Sequence, residues 1–243
     1  MTALLEREPD TNKTRETGRN VPAAIALLLA VTAILVAEAT AAAAWDSPAY
    51  SYADDFVSDL GVPGPPVMFK GHMIHSPLSA VLNAGFIVNG ALVALAAALL
   101  LRNRGEARMA RWQFRMLMGY SLGLLIAAVL HESPAWSLPF HAVGAALIMC
   151  CGNIAVLLTG RLGVRLGLPT SLARLFTALG AFGLASFIAL QVLVTVDATT
   201  LPHNIGTLER MAAYPILLAQ IAAGVGLLAE SGRLRRRHFA LPR

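Results

Sequence analysis

Six long apolar runs divide the chain, at about residues 21–44, 78–101, 113–131, 139–159, 174–196 and 207–229, and each reaches the roughly 20 residues that a helix needs to cross a bilayer. Short polar segments separate them. The pattern predicts an all-α protein, an integral membrane bundle of six transmembrane helices forming one domain over residues 21–230. A polar leader, 1–20, is expected to be disordered, and a basic tail, 231–243, follows the last span. Helix starts are expected at Ser76-Pro77, at Ser137 with Pro139, and at Ser171, where Ser can cap and Pro can open a helix. Pro215 falls inside the sixth run and is expected to break its hydrogen-bond ladder.

One connection differs from the rest. Residues 45–77 are too many for a bare connector and include Phe56, Val57, Leu60, Val67, Met68 and Phe69, which can pack. The segment is expected to lie over the helix ends as a lid, with a short interfacial helix at Ser51–Leu60 ended by Gly61, Pro63, Gly64, Pro65 and Pro66.

Composition narrows the class. Hydrophobic residues make up 56% of the 243 and charged residues 14%, with a mean hydropathy of +0.63. A soluble surface needs more charge than that. With 2 Cys, a disulfide-built secreted scaffold is excluded. The net charge of +5 does not point to nucleic acid, because the cations are membrane flanks. Of 19 Lys and Arg, all but Lys70 and Arg210 fall on one side of the six spans. Cytoplasmic loops carry the Lys/Arg excess, so both termini are expected in the cytoplasm and the 45–77 loop outside it, in the cell membrane. Trp45, Trp112 and Trp136 fall at the expected interfaces. Residues 1–45 imitate a cleavable signal, with Ala42-Ala43-Ala44 before Trp45. The apolar run is longer than the roughly 7–15 residues of such signals and the leader carries Glu6, Glu8, Asp10 and Glu16, so a retained span is expected.

Candidate chemistry gathers on the expected outer side. His72, His75, His131, His141 and His203 lie there, with most of the acids. Glu38 lies within the first span, and ionisable groups inside a membrane are costly and often functional. Glu38, Asp59 and His141 are the candidate proton-transfer groups. Glu209 and Arg210 open the sixth span, with Tyr214 one turn beyond; an Arg there can hold an anionic head, or pair internally with Asp59 or Glu38. Ser58 and Asn83 complete the candidate binding set. His72, His75, His131 and His141 could hold a divalent ion such as zinc, but no HExxH or paired CxxC accompanies them and a metal is not favoured. Adjacent Cys150 and Cys151 read as packing.

Four stretches carry a resemblance: YSYADDFVSDLG (50–61), SPLSAVLNAGFIVNG (76–90), HAVGAALIMCCGN (141–153) and GTLERMAAYP (206–215). Together they resemble the prokaryotic multi-pass membrane family catalogued as domain of unknown function 998. The resemblance implies about six helices and a membrane location, assigns no activity, and marks Ser58, Asp59, Asn83, His141, Asn153, Glu209, Arg210 and Tyr214 as motif positions.

Three functions fit this reading. The first is a small enzyme or binder for a lipid-like or isoprenoid amphiphile at the outer leaflet, with the bilayer and that amphiphile as partners. The second is a small-solute or proton-coupled transporter using Asn83, Asn153, Gln191 and Gln220 as a polar path. The third is a non-catalytic scaffold or accessory subunit.

Overall fold

The computed structural model describes residues 11–46, 48–69, 71–101, 108–132, 137–165, 169–196 and 203–239. Six helices carry the fold: α1 Thr11–Ala43, α2 Ser79–Leu101, α3 Arg108–Val129, α4 Leu138–Arg165, α5 Thr170–Val196 and α6 Ile205–Phe239. All six are long and apolar enough to cross a membrane. α1 reaches back to Thr11, into the leader expected to be disordered; residues 1–10 and Trp136 lie outside the described residues.

Consecutive helices pack side by side and α6 closes the ring on α1, with a further contact between α4 and α6. That contact places α5 behind the α4–α6 seam. The surface is inverted relative to a soluble protein: Ile25, Val36, Leu122, Ile188, Val192 and Val225 are exposed while Glu38, Asn89, Asn153 and Gln220 are buried. Hydrocarbon outside and paired polar groups inside is the arrangement a bilayer favours.

Glycine sets close crossings. A Cβ on Gly123 would lie 2.7 Å from the Gly144 carbonyl oxygen and 2.8 Å from the Ile148 nitrogen, so α3 and α4 meet backbone to backbone. Polar ties add direction. Asn153, fully buried, donates to Met149 O (2.8 Å) and across to Ala212 O on α6 (2.9 Å). Pro215 removes the amide that would bond Met211 O, so this tie sits beside the broken rung. At mid-bundle Tyr120 donates to Asn89 Oδ1 (2.8 Å), Asn89 Nδ2 donates to Ala30 O (2.9 Å) and Gln220 Nε2 donates to the Tyr120 hydroxyl (3.3 Å). This knot joins α1, α2, α3 and α6.

The 45–77 segment covers one end of the bundle as expected, but its internal structure differs. Ser51–Leu60 is not one helix: a turn, in which Asp55 N donates to Ser51 O (2.8 Å), precedes a single 3-10 turn at Ser58–Gly61. Ser51 and Asp54–Asp55 bond each other's main chain, which competes with helix. A hairpin follows, β1 Val67–Phe69 against β2 His72–Ile74, turning at Gly71 with φ 85°. Trp45 is not an interfacial anchor. It is 3% exposed and packs on Tyr50 with ring centroids 5.3 Å apart, inside a core that the lid shares with α1, α2 and α6. Trp112 is exposed and Arg115 lies over its ring, as an interfacial Trp would be. Ser76 does not cap α2; its hydroxyl donates to Leu60 O (2.6 Å) and so ties the lid to the start of α2.

Candidate site beneath the lid

Two polar clusters lie under the lid, and they differ in how completely they are satisfied. The first centres on Arg210 and Glu38, which come from α6 and α1. Arg210 Nε and Nη2 both donate to Glu38 Oε1, at 3.1 and 2.9 Å. Nη2 also donates to the Tyr50 hydroxyl, and Nη1 donates to Tyr52 O (2.8 Å) and Asp55 O (3.1 Å). The five guanidinium N–H groups are thereby accounted for. Arg210 also lies over the Tyr52 ring, 4.9 Å from its centroid. Tyr214 donates to Glu38 (2.9 Å to Oε1), so the carboxylate is held from both α6 residues. Of the pairings anticipated for Arg210, the structure contains the one with Glu38. An anionic head would find no free donor on this guanidinium.

The second cluster joins the lid to α3, α4 and α6. Ser58 donates to Glu132 Oε1 at 2.8 Å, and its oxygen is 3.4 Å from Glu209 Oε1. The amide of Val57 donates to Glu209 Oε2 at 2.5 Å. His141 has Nδ1 2.9 Å from Leu130 O and Nε2 3.3 Å from Glu132 Oε1. Acceptors face both ring nitrogens, so the His141–Glu132 pair shares two protons between ring and carboxylate. Asp59 is 2% exposed; Phe56 N donates to its Oδ2 (2.9 Å), while its Oδ1 and Glu132 Oε2 are buried with no hydrogen-bond partner. The two carboxyl groups lie against each other.

That contact fixes their charge. Burial pushes the Asp59 carboxyl well above the ordinary range, and the negative fields of Glu132 and Glu209 push the same way. At Glu132 burial works in the raising direction but is outweighed by the His141 imidazole, the Ser58 hydroxyl and Asp59, which together bring it below its usual value. Asp59 therefore keeps a proton and offers it to an ionised Glu132. Burial, helped by the charge on His141, lowers the neighbouring His131.

A cavity of about 70 Å³ opens under these groups. Glu38, Ser58, His141, Glu209 and Tyr214 line its head; Ile34, Phe86, Leu124, Ile148, Met149 and Ile216 line the walls below, and Tyr120 lies at the foot. Glu209 to Leu217 spans about 12 Å along α6 by helical rise. The volume takes several water-sized groups.

Of the residues singled out from sequence, Glu38, Ser58, His141, Glu209 and Tyr214 meet at the cavity head, and Asp59 backs them. Arg210 is held behind Glu38. Asn83 pins the lid instead of lining the cavity: its Nδ2 donates to Gly61 O (2.8 Å) and lies 3.2 Å from His131 Nε2. The histidines do not converge. His72 pairs with Asp55 (3.4 Å), His131 with Asn83 and His141 with Glu132. Among the described residues no group of three His, Cys, Asp or Glu is placed to hold a metal. Glu132, in sequence one of the acids on the expected outer side, proves central; its signal is an acid at a helix end, in a run that is otherwise apolar. Tyr50 and Tyr120 also escaped notice, although both stand near other polar span or lid residues.

Fold and site define the class: a multi-pass, six-helix membrane protein with a largely apolar cavity beside a cluster of acids at one end of the bundle. The family model for a protein of unknown function, DUF998, matches residues 21–226, and the chain belongs to that family. No curated protein and no solved structure matches it.

Proposed function

We propose that the cavity receives the polar end of a lipid-like or isoprenoid amphiphile at the outer leaflet of the cell membrane and that the protein acts there as a small enzyme or binder. The observation that carries this reading is a largely apolar cavity closed at one end by Glu38, Ser58, His141, Glu209 and Tyr214. The Lys/Arg asymmetry supports a lid end outside the cytoplasm. Glu209 and His141 are the groups placed to exchange a proton with a bound head, and Ser58 connects them through Glu132. Glu38, Arg210 and Tyr214 form a strut that shapes the chamber.

A transporter would need polar groups through the depth of the bundle. None of Asn83, Asn153, Gln191 or Gln220 lines the cavity, and Gln191 faces outward. The Asn89–Tyr120–Gln220 knot stands at its foot, which favours a closed bowl. A pure scaffold accounts for the strut but not for the chamber beside it.

Native mass spectrometry of the protein extracted in a maltoside detergent tests this. The wild type is expected to retain an amphiphile that Ala145→Phe, which fills the cavity, and Ala213→Leu both lose. Equal retention by folded wild type and variants, or none in the wild type, overturns the reading.

A further inference from the structure

Glu209 is the chamber's uncommitted acid. It is 7% exposed, and Val57 N–H satisfies one oxygen only. The other oxygen has Ser58 at 3.4 Å, but Ser58 carries a single hydroxyl proton and gives it to Glu132 at 2.8 Å. The protein thus gives Glu209 Oε1 no more than a long share of the Ser58 hydroxyl, and Glu209 is one of the residues that line the cavity.

Among the described residues, the charges around it leave no cation to spare. Glu38 on α1 is matched by Arg210 on α6, whose N–H groups are all engaged, Tyr50 among their acceptors. Glu132 after α3 is matched by His141 on α4. Asp59 in the lid is buried beside Glu132, and burial together with that neighbour's negative field disfavours a second charge there. An ionised Glu209 would stand unpaired in a buried site, which is strongly unfavourable. With the cavity empty it holds its own proton.

We propose that the ligand of this chamber is an amphiphile with an ammonium head, which replaces the proton on Glu209: the N–H groups of the head donate to Glu209 Oε1, its charge supplies the missing cation, and the displaced proton leaves to solvent. No other bond is made or broken. Anionic heads are excluded by the same balance, since Arg210 is committed and each remaining unpaired group is an acid. This deepens the amphiphile reading and rests on it.

The test uses purified full-length protein in maltoside near pH 7, with octylamine, octanol and octanoate as probes and empty micelles as the blank. Thermal shift reports binding, and a dye in weak buffer counts protons. Octylamine is expected to raise the melting temperature and release about one proton per molecule bound, and to bind at least about tenfold more tightly than octanoate. Glu209→Gln should abolish the release and Glu209→Asp should keep it. If Glu209→Gln fails to fold, the wild-type proton count with the three probes decides alone. Octanol or octanoate binding as well as octylamine, or octylamine binding without proton release, overturns this inference and leaves the amphiphile site standing. Failure of all three to bind overturns both.

Discussion

Arg210→Met is expected to remove more stability than any other single change considered, about 3–5 kcal/mol. The substitution leaves Glu38, 3% exposed, as a carboxylate deep in the bundle with only the Tyr214 hydroxyl to answer it. It also strips donors from Tyr52 O and Asp55 O, which lock the lid to α6. Thermal melts in detergent should show the loss, with poor recovery of folded protein. Adding Glu38→Met to that background should restore part of it, because no buried charge remains. Glu38→Gln alone should cost less, about 1–2 kcal/mol, since the amide oxygen still accepts from Arg210 and Tyr214. A near-neutral Arg210→Met would mean that the strut does not hold the lid.

Asp59→Asn is expected to stabilise the protein, by about 1–2 kcal/mol near pH 8. The asparagine oxygen can accept from Phe56 N as Asp59 does, and its NH₂ can donate to Glu132 Oε2, serving two atoms that are unpartnered as ionised carboxyls. The sign with pH follows from the raised folded value. Folded Asp59 keeps its proton where the unfolded side chain has lost it, so the native state binds more protons and wild-type stability falls as pH rises through that interval. Asparagine has no such fall, and its advantage should widen upward in pH. Glu132 acts in the opposite sense: its lowered value gives stability that is present above the ordinary glutamate range and lost on acidification. Melts of wild type and variant from about pH 3 to pH 8 separate the two. A variant less stable at every pH would contradict the shared proton.

The six spans were legible because length and hydropathy are local properties, and the lid was readable from the length of 45–77; α6 runs unbroken through Pro215. The pairing of Glu38 with Arg210 was readable only as one of two choices, since 172 positions separate them and closure of α6 on α1 decides it. Asn83 stood in the candidate binding set and is a motif position of the resemblance; its use as a pin for Gly61 depends on where the lid folds. Trp45 misled for a related reason, as the interfacial rule assumes that the residue beyond a span meets lipid and here it meets Tyr50. The role of Glu132 emerges only when α3, α4 and the lid converge on one point.

The measurement that addresses the chamber most directly is photolabelling in bilayers with a lipid carrying a diazirine near its head, followed by peptide mapping. The account predicts adducts on residues 145–149 and 213–217 that Ala145→Phe suppresses. Adducts confined to outward residues such as Ile188 and Val192, unchanged by Ala145→Phe, would show that lipid surrounds the bundle without entering it.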